Sequence, residues 1–155
     1  MEFSIIKDEE FNETCDLMER VSKIAFSPFY PDSEVERIID SLSVEKMKKR
    51  ATWTHFYVAK INEKIVACGA VGPYYGSETE CSLFNIFVEP ESQGKGIGRQ
   101  LINVLENDEF AKRSSRIEIP ASISAIPFYK KMGYKFKNDT MIFKDGHFSL
   151  EKFTK

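Results

Sequence analysis

The sequence has 155 residues, of which 42% are hydrophobic and 30% are charged, and its formal net charge is −2 at pH 7. These values are ordinary for a globular protein and predict a single domain over residues 1–155 with a real hydrophobic core. They exclude a disordered chain, and the absence of a long basic run disfavours a nucleic-acid partner.

The cysteines and the N-terminus narrow the class of protein further. Cys15, Cys68 and Cys81 form an odd set without CxxC spacing, which predicts neither a disulfide framework nor a metal site. The first residues, MEFSIIKDEEF, are acidic and lack the apolar centre of a signal peptide. No apolar run approaches the ~20 residues that cross a bilayer. We therefore expect a cytoplasmic protein with no membrane partner.

The first fifty residues predict a strand followed by helices. Pro28 and Pro31 end the first helix, because proline disfavours helix continuation. Ser33 and Glu36 match a capping box that begins the second helix, and Ser43 is placed to cap a third. The predicted elements are a strand at Phe3–Ile6 and helices at Asp8–Ala25, from Ser33 to about Leu42, and at Val44–Ala51.

The rest of the chain predicts a mixed sheet with helices between strands. Asn62-Glu63 is a plausible tight hairpin, and Gly133 suits the position after a helix end. The predicted strands are HFYVAKI, KIVACGAVGP, CSLFNIFVE, RIEIPA, YKFK and HFSLEKF, and the predicted helices are Gln93 to about Asn107 and SAIPFYKKMG. The order of the main elements, β-αα-βββ-α-β-α-ββ, indicates an α/β domain with a mixed sheet.

The segment VEPESQGKGIG, residues 88–98, places three glycines between an apolar strand and a helical pattern. The first amides of a helix lack intrahelical partners and favour an anion, and glycine lets the backbone approach it closely. Lys95 and Arg99 add positive charge, which a bound polyanion explains better than the helix dipole does. The turn predicts a phosphate-like ligand, and a turn that serves only strand–helix packing is the alternative.

Spacing excludes the common nucleotide loops. Gly96 and Ile97 follow Lys95, so the hydroxyl of a Walker loop is absent, and Arg99 stands where a dinucleotide motif needs its third glycine. The stretch from Gln93 to Gly98 instead matches the Gln/Arg-x-x-Gly-x-Gly/Ala motif of the GCN5-related N-acetyltransferases (GNAT). The strand NIFVEP before it and ASISAIPFYKKMGYKF downstream also resemble this family, and the element order is the GNAT order.

This resemblance implies a binding site for acetyl-CoA and a proton donor. The amides of the glycine-rich turn would bind the pyrophosphate, namely those of Gln93, Gly94, Lys95, Gly96, Ile97, Gly98 and Arg99. The peptide groups of Ile86, Phe87 and Val88 would pair with the pantetheine arm. The aromatic pair of the second signature maps to Phe128 and Tyr129, and Tyr129 would protonate the departing thiolate. Packing of Tyr129 in the core is the alternative.

Two positions depart from the family pattern. Many relatives carry Asn seven residues before the Tyr, where this chain has Ser122, which can still donate and accept a hydrogen bond. Some relatives place a catalytic Glu on the strand before the turn, where this chain has Ser82. Glu80 is the nearest candidate base for the amine, and a solvated loop charge is the alternative. The two histidines, His55 and His147, are expected to be structural or exposed.

The acceptor is expected to enter between the first two helices and the loop after the third strand. These segments offer aromatic rings, which with nearby carboxylates would suit an amine with an apolar body. The candidate substrate-binding residues are Phe29, Tyr30, Tyr74 and Tyr75. The leading hypothesis is direct attack of a small-molecule or peptide amine on acetyl-CoA in a ternary complex. A CoA-binding module without catalysis is the alternative, and a homodimer is possible because family members are often dimers.

Overall fold

The computed structural model describes residues 1–154 and has the predicted mixed α/β architecture. Eight strands form one sheet in the order β1-β2-β3-β4-β5-β8-β6, with β7 paired to β8. The strands are β1 Glu2–Ile5, β2 His55–Ile61, β3 Lys64–Pro73, β4 Glu80–Val88, β5 Arg116–Ala121, β6 Lys135–Phe136, β7 Phe143–Lys144 and β8 His147–Phe153. The helices are α1 Phe11–Phe26, α2 Asp32–Asp40, α3 Val44–Ala51, α4 Ile97–Glu106, α5 Glu109–Lys112 and α6 Ile126–Lys131.

The sheet separates two hydrophobic clusters, because alternate strand residues point to opposite faces. On one face, α1 and α3 pack on β2 and β3 through a cluster that includes Leu17, Met47 and Phe56. On the other face, α4 and α6 pack on the sheet through a cluster that includes Leu83, Leu101 and Tyr129. Residues of β4 contribute to both clusters, so this strand is buried on both faces as its apolar sequence predicts.

Three local predictions are confirmed, one at a hairpin turn and two at helix ends. Asn62 and Glu63 both have positive φ, 50° and 67°, as a two-residue hairpin turn requires, and they join β2 to β3. The Ser43 hydroxyl accepts a hydrogen bond from the Lys46 N–H at 3.3 Å and caps α3. Gly133 has φ of 97° just after α6, as predicted for its position.

Three predicted helix starts were wrong. Residues Asp8–Glu10 form a 3₁₀ turn, and α1 begins at Phe11. The second helix is not capped by Ser33, because the Pro31 carbonyl accepts from Glu34 and Val35 and makes Pro31 the cap residue. The fourth helix begins four residues after Gln93, because Gly94 and Gly96 adopt left-handed conformations that a helix cannot include.

Candidate active site

The glycine-rich turn presents a row of free backbone amides at the end of β4. Gly94 and Gly96 have φ of 82° and 79°, and a Cβ atom on either would meet no protein atom within 4 Å. Among the described residues, no backbone amide from Gly94 to Arg99 donates a hydrogen bond within the protein, and the first helical bond runs from the Gln100 N–H to the Gly96 carbonyl at 3.1 Å. Six consecutive amides at a helix N-terminus suit an anionic ligand.

The same turn contains one glycine with a packing role. A Cβ atom at Gly98 would lie 3.1 Å from Cζ of Phe128, so this glycine lets α6 approach the first turn of α4. Gly94 and Gly96 border open space, and tight packing therefore does not explain them. Lys95 and Arg99 are exposed on the turn and form no ion pair within residues 1–154.

Strand β4 has a free edge below the turn. It pairs with β5 in parallel from Glu80 to Ser82, and beyond that point the two strands separate. The residues of this segment from Phe84 onward are all partly exposed, and they include Ile86, Phe87 and Val88. A β-bulge interrupts this segment, since Asn85 and Ile86 together lie opposite the single residue Gly69 of β3. Backbone groups on this edge can therefore pair with an extended ligand.

Two side chains contact backbone carbonyls of this strand. The Cys68 thiol donates to the Asn85 carbonyl at 3.3 Å, which holds the bulge against β3. The Gln93 side-chain amide donates to the Val88 carbonyl at 3.0 Å, beside the turn. Gln93 is exposed, so a ligand that pairs with Val88 can displace its side chain.

Tyr129 is buried in α6, and its hydroxyl makes no hydrogen bond in the part of the chain that the structure describes. Burial raises the pKa of this phenol above its usual value, so it stays protonated at neutral pH. Its ring packs 5.4 Å from that of Phe128 and 6.3 Å from that of Tyr134. Ser122 follows β5 directly and is half-buried, and its hydroxyl lies 3.3 Å from the Ser124 hydroxyl.

Glu80 lies at the other end of β4 from the glycine-rich turn. Val88 lies eight positions further along the strand, at a distance of roughly 26 Å if the strand is fully extended. Its carboxylate accepts a hydrogen bond from Nε of Arg116 at 2.5 Å, so it is an ion-paired strand residue and not a free loop charge.

We call the charged group around Glu80 the Arg116 cluster, which comprises Glu80, Arg116, Glu118, Lys137 and Glu151. Arg116 also pairs with Glu118 and Glu151 at 3.0 Å, and Lys137 pairs with Glu118 at 2.9 Å. Arg116, Glu118 and Glu151 are at least nine-tenths buried. Every carboxylate of the cluster thus already has a cationic partner, which stabilises these charges inside the fold.

The predicted acceptor aromatics fall into two groups. The Tyr30 hydroxyl accepts from the Ile123 N–H at 3.3 Å, next to Ser122, and its ring lies 5.9 Å from that of Phe143. Phe29 beside it is 56% exposed. The other group belongs to the Arg116 cluster side of the sheet: the Tyr74 hydroxyl accepts from Lys137 at 3.0 Å, and Tyr75 packs edge-on against Tyr74 and is 93% exposed.

Sequence reasoning missed a pair of residues at the bulge. Arg50, at the end of α3, donates to the side-chain carbonyl of Asn85 at 2.7 Å, and its guanidinium lies 4.7 Å from the centre of the Phe84 ring. Asn85 has φ of 53°, a left-handed conformation that asparagine tolerates better than most residues. The only signal in the sequence was an asparagine within an apolar strand.

The remaining candidates are the histidines and the side chains that could ligate a metal. Among the described residues no group of three or more His, Cys, Asp or Glu side chains is arranged to bind a metal. His55 packs against Phe110 on the face of the sheet that carries α4, and its Nδ1 is 2.7 Å from a carboxylate oxygen of Asp108. Within residues 1–154 no helix is long and apolar enough to cross a membrane.

The comparisons with known proteins agree with this geometry. The family model of the acetyltransferase (GNAT) domain matches residues 52–136. An uncharacterised N-acetyltransferase of Methanocaldococcus jannaschii is 32% identical over an alignment that covers 59% of this chain and 48% of that protein. The chain therefore spans about half the length of this curated relative.

Solved structures share the whole fold. The PaiA N-acetyltransferase from Thermoplasma acidophilum, solved in complex with coenzyme A, superimposes with a TM-score of 0.82 over 98% of both chains at 17% identity. A GCN5-related N-acetyltransferase from Rhodopseudomonas palustris gives a TM-score of 0.80 over 98% of this chain and 94% of its own, also at 17% identity. The match of more than half of the chain to the domain model, together with this shared fold, shows that the chain belongs to the GNAT acetyltransferase family.

Proposed function

We propose that this protein transfers the acetyl group of acetyl-CoA to a primary amine of a small molecule or peptide. The observation that carries the proposal is the run of unpartnered amides from Gly94 to Arg99 at the end of β4. Such a run, with two exposed cationic side chains beside it, suits the pyrophosphate of CoA. The structurally similar protein from T. acidophilum was solved with coenzyme A, which supports the same ligand here.

The free edge of β4 continues the proposed CoA site downward from the turn. The amides of Gln93 to Arg99 would hold the pyrophosphate, and the peptide groups of Ile86, Phe87 and Val88 would hold the pantetheine arm. Phe128 packs against Gly98 and fixes the helix that carries Tyr129 next to this edge. Ser122 offers a hydroxyl where many relatives offer an amide, and this hydroxyl would make the corresponding contact to the pantetheine.

Tyr129 is the proposed proton donor. Acetyl-CoA, when bound, supplies an acyl group activated as a thioester. The Tyr129 phenol is protonated because burial raises its pKa, and its hydroxyl has no partner in the protein that would compete for the proton. It can therefore donate to the departing sulfur when the amine takes the acyl group.

Direct attack by the amine is favoured over an acetylated cysteine. Burial raises the pKa of both Cys15 and Cys81 to about 11, so each remains a buried thiol and not a nucleophilic thiolate. Glu80 remains the proposed base for the amine. Because Arg116 holds one of its oxygens, proton transfer to Glu80 requires its second oxygen or a bridging water.

Two measurements test the proposal. Acetyl-CoA at one hundred times its Kd should stabilise the protein by about 2.7 kcal/mol, which thermal unfolding detects. Release of free thiol across a panel of primary amines should then show turnover. If acetyl-CoA leaves the melting temperature unchanged at millimolar concentration, the proposed co-substrate is wrong.

The alternative is a CoA-binding module without catalysis. The positions of Ser82 and Ser122, where relatives carry Glu and Asn, favour this alternative, as does the ion pair that occupies Glu80. Stabilisation by acetyl-CoA without thiol release on any amine would support the module. Turnover that depends on Tyr129 would support the enzyme.

A further inference from the structure

Arg50 carries a positive charge that the protein leaves without a carboxylate partner. Its guanidinium is half-buried, stacks on Phe84 at 4.7 Å and makes one side-chain hydrogen bond, to Asn85. No carboxylate within residues 1–154 forms an ion pair with it. Burial lowers its pKa, because the loss of water is not offset by a negative neighbour. A guanidinium has five N–H donors, so several remain available for a ligand.

The position of Arg50 matters for the acceptor. Phe84 packs with the helix cluster on the α1–α3 face, so Arg50 lies on that face of β4, just past the point where β4 and β5 separate at Ser82. The proposed CoA site runs from the glycine-rich turn down the free edge through Val88 and Ile86. The acyl end of the donor is therefore directed towards Asn85 and Phe84, where Arg50 lies.

The carboxylates of the Arg116 cluster already have cationic partners. Glu80, Glu118 and Glu151 pair with Arg116 and Lys137 in the Arg116 cluster. Glu34, in the first turn of α2, likewise pairs with Arg37 at 2.5 Å. These carboxylates offer little uncompensated negative charge to an acceptor.

We propose, on the basis of the proposed acetyltransferase function, that Arg50 binds an oxyanion of the acceptor, so that the acceptor is an amine that also carries a carboxylate or phosphate group. Guanidinium binds both groups through two parallel hydrogen bonds. Trp53 packs edge-on against Phe84 at 5.4 Å, is 45% exposed and supplies an apolar wall beside the guanidinium. One half-buried arginine can bind such a group without a wider basic surface around it.

Matched acceptors test the inference. L-phenylalanine is compared with L-phenylalaninamide and phenethylamine, and O-phosphoethanolamine with ethanolamine, by thiol release at saturating acetyl-CoA and by binding to the CoA-loaded protein. We expect at least one anionic amine to have a kcat/KM, or an affinity, at least about tenfold higher than its uncharged counterpart. The two pairs distinguish carboxylate from phosphate recognition.

Variants of Arg50 show whether the preference belongs to this side chain. Arg50→Met should abolish the preference, mainly through KM, and leave the Kd of CoA unchanged, whereas Arg50→Lys should keep part of it. Arg113→Met is the matched control, because Arg113 stacks on Phe110 at 4.9 Å on a different part of the surface. A lowered CoA affinity in Arg50→Met would mean that Arg50 only supports the bulge, and would overturn the inference.

The outcomes also separate this inference from the proposed function. If acetyl-CoA does not bind, the proposed function fails and the acceptor inference fails with it. If acetyl-CoA binds and the anionic and neutral amines of each pair behave alike, or none of them binds, only the role of Arg50 is refuted.

Discussion

Replacing Tyr129 by Phe separates a catalytic role from a packing role. The substitution removes one hydroxyl from a buried ring and keeps the rest of the side chain. Since that hydroxyl donates to no protein group, the folded protein loses no hydrogen bond. The free energy of unfolding should change by less than about 0.5 kcal/mol, below the usual net value of a hydrogen bond. The loss of a general acid, in contrast, should lower kcat by about 10²- to 10⁴-fold.

Tyr134→Phe is the matched control within the same motif. The Tyr134 hydroxyl donates to a carboxylate oxygen of Glu106 at 2.7 Å, and Lys152 donates to the same carboxylate at 3.0 Å. Loss of a hydrogen bond to a charged group costs about 1.5–3 kcal/mol, and the remaining Lys152 contact favours the lower end of this range. The control should therefore lose stability and keep most of its kcat, which is the opposite of the result expected for Tyr129.

The assay combines three measurements on each variant. Urea unfolding gives the stability, calorimetry gives the Kd of CoA, and thiol release at saturating substrates gives kcat from pH 7 to pH 10. Because burial raises the pKa of Tyr129, its phenol stays protonated through this range, and wild-type kcat should not fall towards pH 10 through its ionisation. A Tyr129→Phe variant with kcat within threefold of wild type would refute the proton-donor role.

Three further predictions concern the CoA site and the fold. Gly96→Asn keeps a residue that tolerates φ of 79° but places a side chain in the open space above the turn. The Kd of CoA should therefore rise about tenfold or more, while the melting temperature shifts by only a few degrees. An unchanged Kd would contradict the proposal that CoA binds to the backbone of this turn. Ser122→Asn should tighten CoA binding measured by calorimetry, because it restores an amide with more donors and acceptors, and weaker binding would argue against the contact. Burial acts to raise the pKa of Glu10, but its hydrogen bond with Lys60 outweighs this effect and the pKa is lowered in the folded protein. The ionised carboxylate therefore stabilises the fold above the pKa of Glu10 in the unfolded chain, and this stabilisation is lost as pH falls through its pKa in the folded protein. Glu10→Gln should therefore destabilise the protein in urea at pH 7 and much less at pH 3, and equal losses at both pH values would refute this linkage.

The parts of the structure that could be predicted are those that a short segment determines. The hairpin at Asn62-Glu63 follows from an asparagine between two strand-like runs, and the left-handed turn at Gly94 and Gly96 follows from glycine spacing after a strand. Helix starts were less predictable, since Pro31 competes with Ser33 as cap and either choice fits the local pattern. Here the backbone carbonyl of Pro31 accepts the first helical bonds, and side-chain capping was not needed.

The acceptor side could not be predicted because it depends on pairs distant in sequence. Glu80 and Arg116 are 36 residues apart, and only the parallel register of β4 and β5 brings them together. In the sequence Glu80 resembles a solvated charge at the edge of a loop, and Arg116 belongs to no motif that would identify it as the partner. Arg50 and Asn85 are 35 residues apart, and their contact requires both α3 and the bulge in β4.

The contrast between local and long-range contacts suggests how the proposed CoA side and the proposed acceptor side determine specificity. The proposed donor side is built mostly from backbone amides and a strand edge, so most side-chain substitutions there leave its hydrogen-bonding groups in place. The proposed acceptor side lies between the Arg116 cluster, whose charges compensate one another, and Arg50, which has no carboxylate partner within residues 1–154. On this proposal, the charge offered to an acceptor near Phe84 depends on one residue at the end of α3. A substitution there should change which amines are accepted and leave acetyl-CoA binding intact, since no backbone group of the glycine-rich turn contacts Arg50.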